Sequence, residues 1–120
     1  MITINMNTAR WKLTVDGHAT PEESDEYREI CAAASALAQS LAYACSKYND
    51  GEGTMKSIEY RPVSGNLLFR VYPETWAETA FRHIFRIYGW GFRLLAESHP
   101  ESVTFIQDGE RAIAPQAKED

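Results

Sequence analysis

Residues 30–48 read ICAAASALAQSLAYACSKY, and this stretch decides how the rest of the chain is organised. A set of its apolar residues recurs at intervals of three and four, the spacing that places side chains on one face of an α-helix. They are Ile30, Ala34, Leu37, Leu41, Cys45 and Tyr48. The intervening alanines have the highest intrinsic helix propensity. Gly51 follows and suits the left-handed conformation at a helix C-terminus. The stretch therefore predicts an amphipathic helix.

Strand-like segments lie on both sides of this helix. Alternation of apolar and polar residues predicts one hairpin before it and a second hairpin after it. The further predicted elements are strands at 2–6, 11–15, 55–61, 67–72 and 102–107, and a second helix at 74–98. The order β-β-α-β-β-α-β predicts an α+β fold, in which two helices pack on a mostly antiparallel sheet built from hairpins. We expect a single domain over 1–108 and a flexible tail over 109–120.

Composition excludes several classes of protein. The chain has 120 residues, of which 44% are hydrophobic and 24% charged, so it resembles neither a disordered chain nor a disulfide scaffold. It has no run of about 20 apolar residues and a polar start, so we expect a soluble cytoplasmic protein without a membrane segment. The net charge of −5 argues against direct binding to nucleic acid, which needs surplus Lys and Arg.

The two cysteines, Cys31 and Cys45, lie fourteen residues apart in the predicted helix. A helix would separate them by about 21 Å, whereas a disulfide needs Cα atoms within about 7 Å. Both are therefore predicted to be free thiols, which fits a reducing compartment. Neither has a second cysteine or a histidine at metal-ligand spacing, so we expect no metal site and no cofactor.

The second predicted helix has more apolar side chains than one face can hold. They are Trp76, Phe81, Ile84, Phe85, Ile87, Tyr88, Trp90, Phe92, Leu94 and Leu95. A helix that is apolar nearly all round must bury its second face, and a symmetric homodimer is the commonest solution. The alternative is a core that wraps this helix on two sides. Gly89 and Gly91 within the helix indicate a kink or a close approach to another helix.

His18 and Cys31 are the residues best suited to chemistry. A cysteine at the first turn of a helix lies near the positive end of the helix dipole, which favours the thiolate. A nearby histidine can pair with that thiolate and then protonate a leaving amine. The ordinary interpretation remains open, because a cysteine in an alanine-rich helix is usually a small buried apolar residue. The spacing of the two residues does not by itself decide between these interpretations.

The segments Gly17-His18-Ala19 and Cys31-Ala32-Ala33-Ala34-Ser35-Ala36-Leu37 resemble those of the ribosomal-processing cysteine protease family, Prp. This resemblance implies a homodimeric cysteine endopeptidase, which removes an N-terminal extension from a large-subunit ribosomal protein or processes a phage virion protein. It also implies that Cys31 is the nucleophile and His18 the general base and acid. Gly17 would give the backbone freedom beside His18, and Ser35 would support Cys31 from one helical turn away.

The segment between His18 and Cys31 departs from the family pattern, which places an aspartate three residues before the cysteine. Arg28 stands at that position, within an acidic run at 22–29. This run is expected to form either a surface loop, acting as a lid over a basic substrate, or the first turns of the helix. Two other functions remain open, namely a noncatalytic homodimeric binding module of the same fold and a redox sensor built on Cys31.

Overall fold

A computed structural model describes residues 1–17, 24–63 and 65–112. The strands are β1 (Ile2–Asn7), β2 (Lys12–Asp16), β3 (Met55–Val63), β4 (Asn66–Pro73), β5 (Val103–Gln107) and β6 (Glu110–Ala112). The helices are α1 (Asp25–Asn49) and α2 (Glu78–Ser98), and a short 3₁₀ turn (Thr75–Ala77) precedes α2. Two helices pack on one six-stranded sheet, so the predicted α+β class is confirmed.

The six strands form one open sheet in the order β3-β4-β2-β1-β5-β6. All neighbouring strands are antiparallel except β1 and β5, which are parallel. In β1 the side chains of Ile2, Ile4 and Met6 are buried, and the polar residues between them lie on the opposite, more exposed face. This period of two explains why the helices cover only one face of the sheet.

Phenylalanine side chains join α2 to the sheet. Phe85 stacks on Phe69 of β4 with ring centroids 5.9 Å apart, and Phe92 stacks on Phe105 of β5 at 6.0 Å. Contacts of this kind contribute about 0.5–1.5 kcal/mol each beyond the burial of their area. All four rings are fully buried, so they fix the position of α2 on the sheet.

The glycines of α2 permit close packing, as expected. A Cβ atom at Gly91 would lie 3.0 Å from Cδ2 of Leu37 on α1, and one at Gly89 would lie 3.4 Å from Sδ of Met6 on β1. Gly91 therefore allows close approach of the two helices, and Gly89 allows close approach of α2 to the sheet.

The first helix begins earlier than residue 30. Ser24 is its N-cap, and the Ser24 hydroxyl accepts a hydrogen bond of 3.2 Å from the Tyr27 backbone N–H. Asp25 and Glu26 occupy the first turn, where carboxylates are stabilised by the positive end of the helix dipole. Of the two interpretations of the acidic run, the first turns of the helix are therefore confirmed for residues 25–29, and a surface loop or lid is wrong for them; residues 22 and 23 lie outside the described residues.

The C-terminal segment also differs from its prediction. Glu110–Ala112 form strand β6, which pairs with β5 across a turn at Asp108 and Gly109. The prediction of a flexible tail from residue 109 is therefore wrong for residues 110–112, and residues 113–120 lie outside the described residues. In the part of the chain that is described, no helix has the length and apolar character needed to cross a bilayer.

Candidate active site

A cleft of about 270 Å³ opens between α1, the ends of β1 and β2, and the turn of the β3–β4 hairpin. The residues that line it come from all four elements and are Ile2, Val15, Gly17, Cys31, Ala32, Ala34, Ser35, Gln39, Pro62, Val63, Gly65 and Leu67. Three of the four sequence-predicted site residues, Gly17, Cys31 and Ser35, therefore share one cavity. The fourth, His18, lies outside the described residues.

The helix presents a row of polar side chains to this cleft. Cys31, Ser35 and Gln39 follow one another at intervals of four residues, which places them on one face of α1, one turn apart. Cys31 and Ser35 are partly exposed, and Gln39 is exposed. The thiol, the hydroxyl and the amide therefore form one wall of the cleft.

The opposite wall of the cleft is apolar. Pro62 and Val63, at the end of β3, are exposed, whereas Val15 and Leu67 are buried. A cavity with a polar wall and an apolar wall can accept a chain segment that carries both hydrogen-bonding groups and an apolar side chain.

Gly17 links the strand that precedes His18 to the hairpin turn. Its backbone N–H donates a hydrogen bond of 2.9 Å to the carbonyl of Gly65. Its φ of +103° lies in a region that residues with a side chain rarely adopt. A Cβ atom at this position would overlap the carbonyl oxygen of Met1. Glycine is therefore required where the chain leaves β2 at the edge of the cleft.

Cys31 does not lie in the first turn of its helix, and that prediction is wrong. The helix begins at Asp25, which makes Cys31 its seventh residue. Because the effect of the helix dipole falls off within the first turn, the dipole does not act strongly on this thiol. The backbone N–H groups at this position belong to the hydrogen-bond ladder of the helix, so they are not free donors for an oxyanion.

Arg28 stands where the Prp pattern has an aspartate, and its side chain forms an ion pair on the surface. Arg28 Nη1 lies 2.9 Å from Asp25 Oδ1, and both side chains are well exposed. Glu26 Oε1 lies 3.5 Å from His99 Nδ1 at the end of α2. Among the described residues that line the cleft there is no carboxylate, so the nearby acids do not replace the aspartate there.

Cys45, the second cysteine, is fully buried in the hydrophobic core, on the inner face of α1. Burial raises the pKa of its thiol to about 12, because the low-polarity interior disfavours the thiolate. Both cysteines are free, as predicted. Within the described residues, no group of three or more His, Cys, Asp or Glu side chains is arranged to hold a metal ion.

The sequence prediction missed the role of Gln39, Pro62 and Val63 in the cleft. The four-residue interval from Cys31 through Ser35 continues to Gln39, so this residue could have been found from the helical periodicity. Pro62 and Val63 gave no such signal, because only the pairing of β3 with β4 brings the end of β3 to α1.

The architecture and the cleft define a two-layer α+β protein in which a helix carries a partly exposed thiol over an open sheet. No protein-family model and no curated protein matches the sequence. Among solved structures, the chain is similar to the ribosomal processing protease Prp from S. aureus. The structure of that protease with a covalently linked product peptide superposes with a TM-score of 0.63 at 19% identity, covering 89% of this chain and 99% of that chain.

A second structure of the S. aureus protease, with a substrate peptide, has a TM-score of 0.63 at 18% identity and covers 89% of this chain and 99% of that chain. The chain is also similar to SMU.848 from Streptococcus mutans, with a TM-score of 0.62 at 21% identity over 88% of this chain and 90% of that chain. The fold of this protein is therefore that of Prp, and the likeness expected from the sequence is confirmed at the level of the fold.

Proposed function

We propose that this protein is a cysteine endopeptidase of the Prp type, with Cys31 as the nucleophile and His18 as its general base and acid. The observation that carries the proposal is that Cys31 and Ser35 line the same cleft as Gly17. His18 is the next residue after Gly17 in the sequence, which supports pairing it with Cys31 in this proposal. The likeness to a protease with bound peptides supports a peptide as the ligand.

The reaction follows from the chemistry of a thiol paired with an imidazole. His18 accepts the proton of the Cys31 thiol, and the sulfur attacks the carbonyl carbon of the scissile peptide bond. The C–N bond then breaks as the imidazolium returns the proton to the leaving amine, which leaves a thioester on Cys31. Water, deprotonated by His18, hydrolyses the thioester and restores the thiol. Ser35, four residues after Cys31 on the same face of α1, is proposed to support the sulfur by a hydrogen bond.

The proposed substrate is the N-terminal segment of a large-subunit ribosomal protein or of a phage virion protein. Asp25, Glu26 and Glu29 are exposed on the first turns of α1, next to the end of the helix that carries Cys31. A negative surface attracts a basic polypeptide over about one Debye length. The binding of a basic substrate should therefore weaken as the salt concentration rises.

We further propose that the protein acts as a homodimer in which the outer face of α2 is covered. Ile87, Trp90 and Leu94 are 64%, 69% and 64% exposed, and their spacing of three and four places them in one stripe. Trp76, 65% exposed, lies in the turn before the helix. Contiguous apolar patches of this kind are uncommon on monomers, and a second copy offers the same stripe in return.

The decisive experiment compares the wild type with Cys31→Ser on a ribosomal protein that carries its N-terminal extension. We expect one new N-terminus, identified by mass spectrometry, with the wild type and none with the variant. Cys45→Ala is the matched control, because Cys45 is buried away from the cleft and should leave cleavage intact. Cleavage that persists in Cys31→Ser would exclude Cys31 as the nucleophile.

A noncatalytic binding module is the second candidate, and the Arg28–Asp25 ion pair favours it. A carboxylate at position 28 could orient the histidine of a dyad, whereas this arginine is paired on the surface. In that case the wild type and Cys31→Ser would bind the peptide equally and neither would cleave it. A redox sensor would show reversible oxidation of Cys31 without proteolysis.

A further inference from the structure

We infer that Gln39 is a substrate-positioning residue, which holds the main chain of the peptide three or four residues away from the scissile bond. This inference rests on the proposed function, since it takes Cys31 as the point of cleavage. The inference concerns the part of the cleft around Gln39, which lies two helical turns beyond Cys31 and one turn beyond Ser35 along α1.

The position of Gln39 sets the distance. Gln39 follows Cys31 by eight residues on the same face of α1, so the two lie about 12 Å apart along the helix axis. An extended peptide advances about 3.3 Å per residue. A substrate that runs along the wall of α1 therefore meets Gln39 between three and four residues from the bond that Cys31 attacks.

The chemistry of Gln39 fits the main chain of a peptide. A primary amide offers both a hydrogen-bond acceptor and two donors, which match the N–H and C=O groups of a peptide unit. Within residues 1–17, 24–63 and 65–112 this amide has no hydrogen-bond partner, although it lines the cleft. Gln39 is uncharged, so this contact should position the chain without selecting a charged side chain.

The opposite wall favours the same path for the peptide. Pro62 is exposed and pairs with the buried Leu67, so it lies on the face of the sheet that carries α1, and a peptide in the cleft can direct an apolar side chain toward it and main-chain polar groups to Ser35 and Gln39. Pro62 has no backbone N–H, so at this position the strand offers an apolar ring and a carbonyl but no donor.

The test measures cleavage of a peptide spanning the ribosomal-protein extension by the wild type, Gln39→Ala, Gln39→Met and Gln39→Glu. We expect Gln39→Ala and Gln39→Met to raise KM about tenfold with kcat nearly unchanged, because two hydrogen bonds are lost far from the reacting atoms. Gln39→Glu, which keeps an acceptor and loses the donors, should recover part of the loss. Ser40→Ala, an exposed neighbour that does not line the cleft, is the matched control.

Truncation of the peptide from each end separates this role from a structural one. Gln39 should contact the peptide on only one side of the scissile bond. The rise in KM caused by Gln39→Ala should therefore disappear when that side is cut to fewer than about three residues. It should persist when the peptide is shortened on the other side. An equal effect on all lengths, a fall in kcat alone or an unchanged KM would overturn the inference.

A binding measurement keeps the inference testable if the proposed function fails. Fluorescence anisotropy with the labelled peptide gives Kd for Cys31→Ala and for Cys31→Ala/Gln39→Ala. Binding without cleavage by the wild type would refute the protease while a weaker Kd in the double variant still supports Gln39. Cleavage with no dependence on Gln39 would refute the inference alone, and absence of both binding and cleavage would refute both.

Discussion

The backbone N–H of Gly17 donates a hydrogen bond of 2.9 Å to the carbonyl of Gly65. This bond ties the last residue before His18 to the turn of the β3–β4 hairpin, and both glycines line the cleft beside Cys31. Two segments that are about fifty residues apart in sequence thus meet where the proposed reaction takes place.

Gly17→Ala should destabilise the protein and reduce peptide cleavage. A positive φ costs a residue with a side chain about 1–2 kcal/mol, and the added Cβ would also overlap the carbonyl of Met1. Urea unfolding measures the stability, and the peptide assay measures kcat/KM. Gly51→Ala is the matched control, since Gly51 has a φ of +72° but an added Cβ meets nothing within 4 Å. Equal losses in the two variants would show that the contact with Met1 is unimportant.

Cys45 should make the folded state less stable in alkali. Its thiol pKa is raised from 9.0 to about 12 in the folded protein, so the unfolded chain loses the proton first as the pH rises. The contribution of this group to the free energy of unfolding should therefore be fully present below pH 9 and be lost between pH 9 and 12, an effect on the order of a few kcal/mol. Because tyrosines and lysines also titrate there, the slope must be compared with that of Cys45→Ala, which should be shallower. Parallel curves would contradict the assignment.

Asp108→Ala should loosen the end of the sheet farthest from the cleft. Asp108 accepts two hydrogen bonds of 2.7 Å, from the backbone N–H and the hydroxyl of Thr8, which is 2% exposed. Loss of both should lower the free energy of unfolding by about 1–3 kcal/mol, measured by urea denaturation. Asp108→Asn should cost less, since asparagine keeps an acceptor and tolerates the positive φ of this position. Glu110→Ala in the adjacent strand is the control, and an equal effect there would refute the role of the two bonds.

A charge on the outer face of α2 should prevent dimer formation. Trp90→Glu places a carboxylate in the centre of the apolar stripe, where burial against a second copy would require it to lose its hydration. Sedimentation velocity should show a dimer for the wild type and a monomer for the variant, with unchanged circular dichroism. Ser57→Glu, which adds the same charge at an exposed position of β3 away from α2, should remain dimeric. A monomeric wild type would refute the dimer itself.

The sequence by itself determined both helices and the first five strands. Periods of two and of three to four in apolar residues reflect which face of each element is buried, so both hairpins and both helices could be predicted close to their observed bounds. The start of α1 stayed open between a loop and the first turns of the helix because the acidic residues Asp25, Glu26 and Glu29 carry no apolar signal, and the Ser24 cap marks where the helix begins. The last strand, β6, is three residues long and depends on its pairing with β5, which local patterns do not encode.

Cys31 was predicted from the sequence and Ser35 was implied by the resemblance to Prp, and the helical period places both on one face of α1, one turn apart. Gly65, Pro62 and Val63 could not, because they reach the cleft only through the pairing of β4 with both β2 and β3. The sequence thus determined the helix that carries the thiol, since helical periodicity is local. Tertiary structure alone decided what faces that thiol, because the opposite wall is assembled from strands that meet only in the folded sheet.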